Sequence, residues 1–256
     1  MEIFDLPRVP EPEVMDDAEE VQAYSSAAAQ RHLDEIDGTF VKHALRLLKS
    51  RERGCAIDIG TGPGQIVLKL ASRLKSWKFI GVDRSIGMIA QARANLAAAG
   101  APAAERKPGR SNRSHEPLLP TVDCRLEDSI LFQLADGNRL EFADHSFDFV
   151  MCNSVLHHLA QPKNLLAEMQ RLAKPDGAIL LRDLRRPSRL AYPIHVRWHG
   201  RRYQGVMYKL FCDSVRSAYT EPELQSLLAA SALAGARVFL HRSTHLGIER
   251  PARTPP

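Results

Sequence analysis

Apolar positions along the chain change period several times, and each change marks an element. From Ala18 to about Lys49 they recur at helical spacing, with Phe40, Val41, Ala44, Leu45, Leu47 and Leu48 forming one stripe. The polar run from Arg51 to Gly54 breaks the helix. CAIDIG is then short, apolar and strand-like, TGPGQ turns, and IVLKLASRLK returns to the helical period. KFIGVD reads as a second strand and IGMIAQARANLAAAG as a second helix, with Gly100 as its C-cap. Strands alternating with helices predict βαβ units on a parallel sheet. The alternation stops at residues 101–128, which are rich in Pro, Arg and Ser and carry neither period. They read as an inserted surface loop, exposed and mobile. The pattern resumes with SILFQLAD, the strand FDFVMCN, the helix PKNLLAEMQRLAK closed by PDG, and the strand AILLRDL. Thr220 and Glu223 form a capping box for a helix over 221–231, and ARVFLHR with THLGIER predicts a final antiparallel pair. Residues 1–50 thus form a leader with N-terminal helices, and 51–256 one α/β domain.

Composition narrows the function classes. A chain of 256 residues, 44% hydrophobic and 25% charged, can bury a core without disulfides or a structural metal, and is neither disordered nor fibrous. No apolar run approaches the ~18 residues of a membrane span. The acidic, proline-broken start MEIFDLPRVPEPEVMDD lacks the features of a secretory signal. Cys55, Cys124, Cys152 and Cys212 are scattered without a CxxC pair, which argues against a zinc knuckle and fits a reducing cytoplasm. The net charge is +5, yet residues 1–20 carry eight acids and one base (net −7), so the remainder carries +12. That imbalance permits an anionic partner, RNA included, without requiring one.

The candidate chemistry is concentrated in AIDIGTGPGQ. Gly60, Gly62 and Gly64 sit at a strand-to-helix turn, where a backbone without Cβ atoms can approach a ligand. The spacing is not the G-x-x-x-x-G-K-[ST] of a phosphate-binding loop, and it departs from the dinucleotide fingerprint because the third glycine comes one residue early. Asp58 lies in the first strand, two residues before the turn, where a pyrophosphate would be repelled and an ammonium group welcomed. Asp83 ends the second strand, where an acid can take both hydroxyls of a ribose. Either acid alone is compatible with a solvated loop position. Both together, at strand ends bracketing a glycine turn, point to a nucleoside-bearing ligand.

D-I-G-T-G-P-G resembles motif I of the class I S-adenosylmethionine (SAM) dependent methyltransferases. VDRSIGMIAQARANL, LADGNRLEFADHSFDFVMCNSVLHHL and EMQRLAKPDGAILLRD resemble the blocks that follow it in that family, in family order, from about Cys55 to Asp183. The closest flavour is the small-molecule branch typified by ubiquinone/menaquinone-biosynthesis methyltransferases. The resemblance implies a Rossmann-like fold: a seven-stranded, mainly parallel sheet with helices on both faces and an antiparallel last strand pair. It implies SAM as cofactor, S-adenosylhomocysteine as product, and no metal. It places the Gly60, Thr61, Gly62 and Gly64 turn against the methionine end of SAM, with Asp58 near the ammonium through backbone or water. Asp83 would hold the ribose hydroxyls, Arg84 and Met88 would flank the adenine, and Asp136 would accept its exocyclic amine with Gly137 alongside. Asn153 would lie beside the methyl donor. Two positions depart from the family pattern. Glu141 replaces the proline of "lPF", and Asp176 replaces the first glycine of the turn before strand five, so Gly177 is expected to supply the left-handed residue alone.

Methyl transfer from a sulfonium is an in-line displacement that needs alignment more than a recognisable catalytic set. Candidates on the acceptor side are His157 and His158 after strand four, Asp183 after strand five, and Tyr24 in the N-terminal helix. The histidines serve either as a general base or as a structural helix start, and Tyr24 either lines the SAM pocket or belongs to the core. Residues 186–217 are basic and aromatic. This suits a carboxylate or phosphate on a planar body, RNA, or an ordinary surface helix whose stems cover apolar neighbours. An N/D-P-P-Y-type motif is absent after strand four, and Cys152 reads as a buried apolar residue, not a nucleophile. The lead expectation is a small-molecule acceptor, anionic or aromatic. An RNA or protein acceptor, or a SAM-binding protein without methyl transfer, is the alternative. No membrane insertion is expected, and the pattern carries no signal for oligomeric state. The acidic leader and the basic 186–216 segment are expected either to attract each other, closing the leader and Tyr24 over SAM as a lid, or to leave the leader a disordered, solubilising tail.

Overall fold

The computed structural model describes residues 5–11, 27–48, 51–100, 129–233 and 235–253. The predicted loop 101–128 and Tyr24 lie outside the described residues. Helix α1 (Ala27–Leu48) is followed by β1 (Gly54–Ile59), α2 (Gln65–Ala71), β2 (Trp77–Asp83), α3 (Ile86–Ala98), β3 (Ile130–Leu134) and β4 (Phe147–Asn153). A 3₁₀ turn at Leu156–His158 leads to α4 (Pro162–Leu172), β5 (Ala173–Leu184), α5 (Tyr192–His199), α6 (Val206–Ser217), α7 (Glu221–Ala229), β6 (Arg237–His241) and β7 (His245–Arg250). The strands form one sheet in the order β3-β2-β1-β4-β5-β7-β6. β1 to β5 are parallel, and β7 runs antiparallel to both β5 and β6. The expected sheet, antiparallel last pair included, is therefore the observed one.

The central strands are apolar on both faces because both faces are covered. On one side, Phe40, Val41, Ala44, Leu47 and Leu48 of α1 pack with α2 and α3 against Ala56, Phe79, Phe149 and Leu180. Burying each large side chain of that stripe contributes about 1.5–3 kcal/mol. On the other side, Leu165, Leu166, Met169 and Leu172 of α4 and Leu224 of α7 cover Ile57, Val82, Val150 and Ile179. Neighbouring residues such as Ala56 and Ile57 thus feed different cores, which is period two read across a doubly covered sheet.

Local signals also find their structural partners. Gly100 follows α3 with φ +70°, as a C-cap glycine does. The Thr220 amide donates to Glu223 Oε2 at 2.7 Å, closing the capping box of α7. One expectation fails. Gly177 is not left-handed but extended, inside β5, between residues that pair with Phe147 and Phe149 across a register shift. What requires glycine there is space: a Cβ would lie 3.1 Å from the carbonyl oxygens of Phe147, Asp148 and Lys174. The adjacent Asp176 is held by the Arg51 guanidinium instead of turning the chain.

Candidate active site

Sheet order reverses direction at β1, whose neighbours are β2 on one side and β4 on the other. In an open α/β sheet the crevice beyond the carboxyl ends of such strands is the natural ligand site. The predicted cofactor residues converge there. Asp58, Gly60, Thr61, Gly62, Asp83, Arg84, Met88, Asp136, Gly137 and Asn153 all line one cleft, together with Asp37 of α1. Gly64 does not. It packs behind the turn, where a Cβ would lie 2.5 Å from Phe132 Cζ.

The turn is built for approach. Gly60, Gly62 and Gly64 all have positive φ, +73°, +52° and +77°. A Cβ on Gly60 would collide with Val155, whereas one on Gly62 would meet nothing within 4 Å. Gly62 therefore faces the open cleft, and a side chain there would occupy ligand space.

The two acids differ sharply. Asp83 Oδ2 accepts the Gly62 amide at 2.8 Å and Oδ1 accepts the Ser85 amide at 2.9 Å, so backbone fixes the carboxylate at the cleft wall. Asp58 is 2% exposed; its Oδ2 accepts the Thr61 hydroxyl at 2.9 Å, and its Oδ1 is buried with no hydrogen-bond partner. Burial, with Asp83 adding repulsion against the relief from Thr61, pushes the Asp58 carboxyl up to about 7. A buried acceptor without a donor is costly, and a cationic ligand group is the partner that removes the cost. Across the cleft, Arg84 Nε lies 4.0 Å from Asp136 Oδ2. Asp136 Oδ1 accepts the Asn138 amide at 2.9 Å, which sets the loop after β3 against the cleft. An orphaned acid, an oriented second acid and an open glycine turn fit a ligand that carries both an ammonium and a ribose.

A family model described as a methyltransferase domain matches residues 57–181, the stretch that builds this cleft. The chain is a class I SAM-dependent methyltransferase. The ubiquinone/menaquinone biosynthesis C-methyltransferase UbiE of Geobacter sulfurreducens is 26% identical over 223 residues, which cover 83% of this chain and 76% of that protein. A demethylmenaquinone methyltransferase of Renibacterium salmoninarum is 30% identical over 139 residues; the match covers 54% of this chain and 49% of that protein, so the chain spans about half its length. Among solved structures, a putative SAM-dependent methyltransferase of Methanococcus maripaludis superposes with a TM-score of 0.62 at 15% identity, covering 96% of this chain and 99% of that one.

A second cavity of about 300 Å³ adjoins the cleft of the methyltransferase and shares Leu33, Asp37, Asn153, Ser154 and His158 with it. Its walls are apolar at Leu184, Met207, Leu210 and Phe211, and histidine-rich at His157, His158, His195, His199, His241 and His245. His195 Nε2 and His241 Nε2 are buried without a partner. Burial, with His199 and Arg185 adding repulsion, pushes His195 down to about 4, so its imidazole is neutral at physiological pH.

The acceptor-side candidates separate here. Asp183 is fully buried and committed: its Oδ1 lies 2.5 Å from His157 Nδ1 and its Oδ2 accepts the His157 amide at 2.9 Å. His157 Nε2 lies 3.3 Å from Glu11 Oε1. Burial would lower His157, but Asp183 and Glu11 overcome it and raise the ring to about 9. His158 Nδ1 lies 2.8 Å from the same Glu11 oxygen, and this ring lines both cavities.

Glu11 belongs to a strap formed by residues 5–11. Val9 N donates to Arg216 O at 3.1 Å, Arg8 Nε to Ser217 O at 2.6 Å and Arg186 Nε to Leu6 O at 2.8 Å. The leader does meet the 186–217 segment, but through backbone acceptors and its own arginine. Glu11, one of the leader's acids, reaches two histidines and the Ser214 hydroxyl. Burial would raise Glu11, but hydrogen bonds from His157 and His158 hold its carboxyl down at about 2. Glu11, Asp37, His195 and His241 were not singled out from sequence. They come from four distant segments, and no local pattern links them.

Proposed function

We propose that the methyltransferase moves a methyl group from SAM in the first cleft to a small acceptor in the second cavity. The observation that carries this reading is the wall the two spaces share, formed by Asn153, Ser154 and His158. Asp58 receives the ammonium, Asp83 the ribose hydroxyls, and the Arg84–Met88–Asp136 side the adenine. Bound there, SAM supplies an activated methyl group on a neutral leaving group. The chain supplies alignment, exclusion of water and a place for the acceptor's proton. His158 is the general base. Its Nδ1 meets Glu11 and its ring lines both spaces, whereas His157 is held charged between two carboxylates and Asp183 is committed to His157. The acceptor is a small planar molecule, since apolar Met207, Leu210 and Phe211 face neutral imidazoles that offer N–H or lone-pair contacts.

The test is transfer of radiolabelled methyl groups to a metabolite pool, with and without ribonuclease. Ribonuclease-insensitive label in small molecules supports the reading, and label confined to RNA or protein overturns it. With the acceptor found, His158→Asn should lower turnover roughly 10²–10⁴-fold while S-adenosylhomocysteine binds as before. Unchanged turnover removes His158 from the base role.

A further inference from the structure

The segment 187–202 has two faces. Its inner face puts His195 and His199 on the second cavity and buries Val196. Its outer face carries Leu190, Ile194 and Trp198, four residues apart, exposed at 69%, 73% and 63%. Large side chains rarely stay this exposed in one row without a partner. Arg189, Arg197 and Arg201 are exposed around them, and none forms an ion pair among the described residues. The Arg201 guanidinium lies over the Trp198 ring, 4.3 Å from its centroid. A second exposed aromatic of the basic segment, Tyr208, stands at 37% exposure on α6.

We infer that this face is a docking surface for an anionic lipid bilayer. Aliphatic side chains and a tryptophan ringed by arginines form the pattern of a helix lying in a membrane interface: apolar groups enter the acyl boundary while the cations meet headgroup phosphates. Leu190 and Ile194 argue against RNA, because nucleic-acid surfaces combine cations with stacking rings and gain nothing from exposed aliphatics. No described helix is long and apolar enough to cross a membrane, so the attachment is peripheral. This inference does not depend on which acceptor the enzyme uses.

The chain reports on it directly. Of its two tryptophans, Trp77 is 1% exposed in the core and Trp198 stands on the proposed surface. The full chain is mixed with vesicles of phosphatidylcholine alone or containing about a third phosphatidylglycerol, and followed by sedimentation and tryptophan emission. We expect binding at least about tenfold tighter to the anionic vesicles, with a blue shift that disappears in Trp198→Phe, and weakening as salt rises. Ile194→Gln with Leu190→Gln should cost about tenfold or more, and Arg189→Gln with Arg197→Gln and Arg201→Gln about a hundredfold. These are surface changes, so circular dichroism should show unaltered folding. The inference is overturned if neither vesicle binds, if binding survives both sets of substitutions, if RNA displaces the vesicles through the same arginines, or if the free chain self-associates through this face and Ile194→Gln abolishes that association.

Discussion

The proposed cofactor cleft and the proposed acceptor cavity share a wall but are built in opposite ways. The cleft is assembled from short runs of chain at strand ends, and its key positions are backbone: left-handed glycines and amides that aim Asp83. The cavity is assembled from side chains on elements far apart in sequence, with Glu11, His158, His195, Ser214 and His241 brought together only by the tertiary fold. A site made of local backbone is held by a motif and tolerates little change. A site made of distant side chains can be altered one residue at a time, and that is where substrate choice is expected to reside.

The sharpest way to test the contrast is Asp83→Ala. Two charge-assisted hydrogen bonds of roughly 1.5–3 kcal/mol each are lost, so affinity for S-adenosylhomocysteine should fall roughly 10²–10⁴-fold by calorimetry. Affinity reduced less than tenfold would show that the cleft is not anchored at the ribose. The glycines should then divide by role. Gly62→Val should abolish ligand binding with the melting temperature changed only by the strain of a left-handed valine. Gly64→Ala, which meets Phe132, should destabilise the fold by about 1–3 kcal/mol. If Gly62→Val binds normally, the turn does not approach the ligand.

Charge gives smaller effects with opposite signs on the two sides. Asp58 is raised to about 7 in the free protein by burial. Its contribution to stability is therefore complete below its unfolded pKa near 4 and lost as pH rises through about 7. An ammonium ligand pairs with the ionised form, so affinity for S-adenosylhomocysteine should rise several-fold from pH 6 to pH 8, and Asp58→Asn should flatten the profile. A flat wild-type profile would dissociate Asp58 from the ammonium. On the other side, Glu11 sits at about 2 and His157 at about 9. The Glu11 contribution is present above about 4.5 and lost as pH falls through 2; the His157 contribution is present below about 6.5 and lost as pH rises through 9. The melting temperature should thus exceed that of Glu11→Gln by a few degrees near pH 6, with the gap narrowing by pH 9. A gap that does not change with pH would mean the strap is held by Arg8 and its backbone bonds alone.

This contrast also explains how much the sequence disclosed. Periodicity and glycine placement were enough for the βα alternation, for the antiparallel end pair, and for the glycine turn with Asp58 and Asp83, because those signals act over a few residues; the seven-stranded sheet and the other residues around the cleft followed only from the family resemblance. Gly177 was misjudged because its constraint is the approach of Phe147, Asp148 and Lys174 carbonyls, which only the packed sheet creates. The region 186–217 showed basic and aromatic residues, but not that one short segment, the turn before α5 and α5 itself, would put histidines inward and Leu190, Ile194 and Trp198 outward. Glu11 looked like one more acid in an acidic leader, and nothing in its neighbours announced a contact with residues nearly 150 positions away.

Arg182 carries a consequence for timing. Its side chain, 1% exposed within β5, donates to Asn153 Oδ1 at 2.9 Å, Thr39 Oγ1 at 2.8 Å and the Ile36 carbonyl at 3.2 Å. One guanidinium therefore fastens α1, which roofs both cavities through Leu33 and Asp37, to Asn153 at the end of β4. If ligand exchange requires α1 to swing aside, a buried cation must give up its partners, a barrier that an incoming and a departing nucleoside would both face. Residence time would then be set by this latch separately from affinity. Thr39→Ala should shorten the lifetime of the S-adenosylhomocysteine complex in stopped-flow displacement more than it changes the equilibrium constant, and product release would quicken with it.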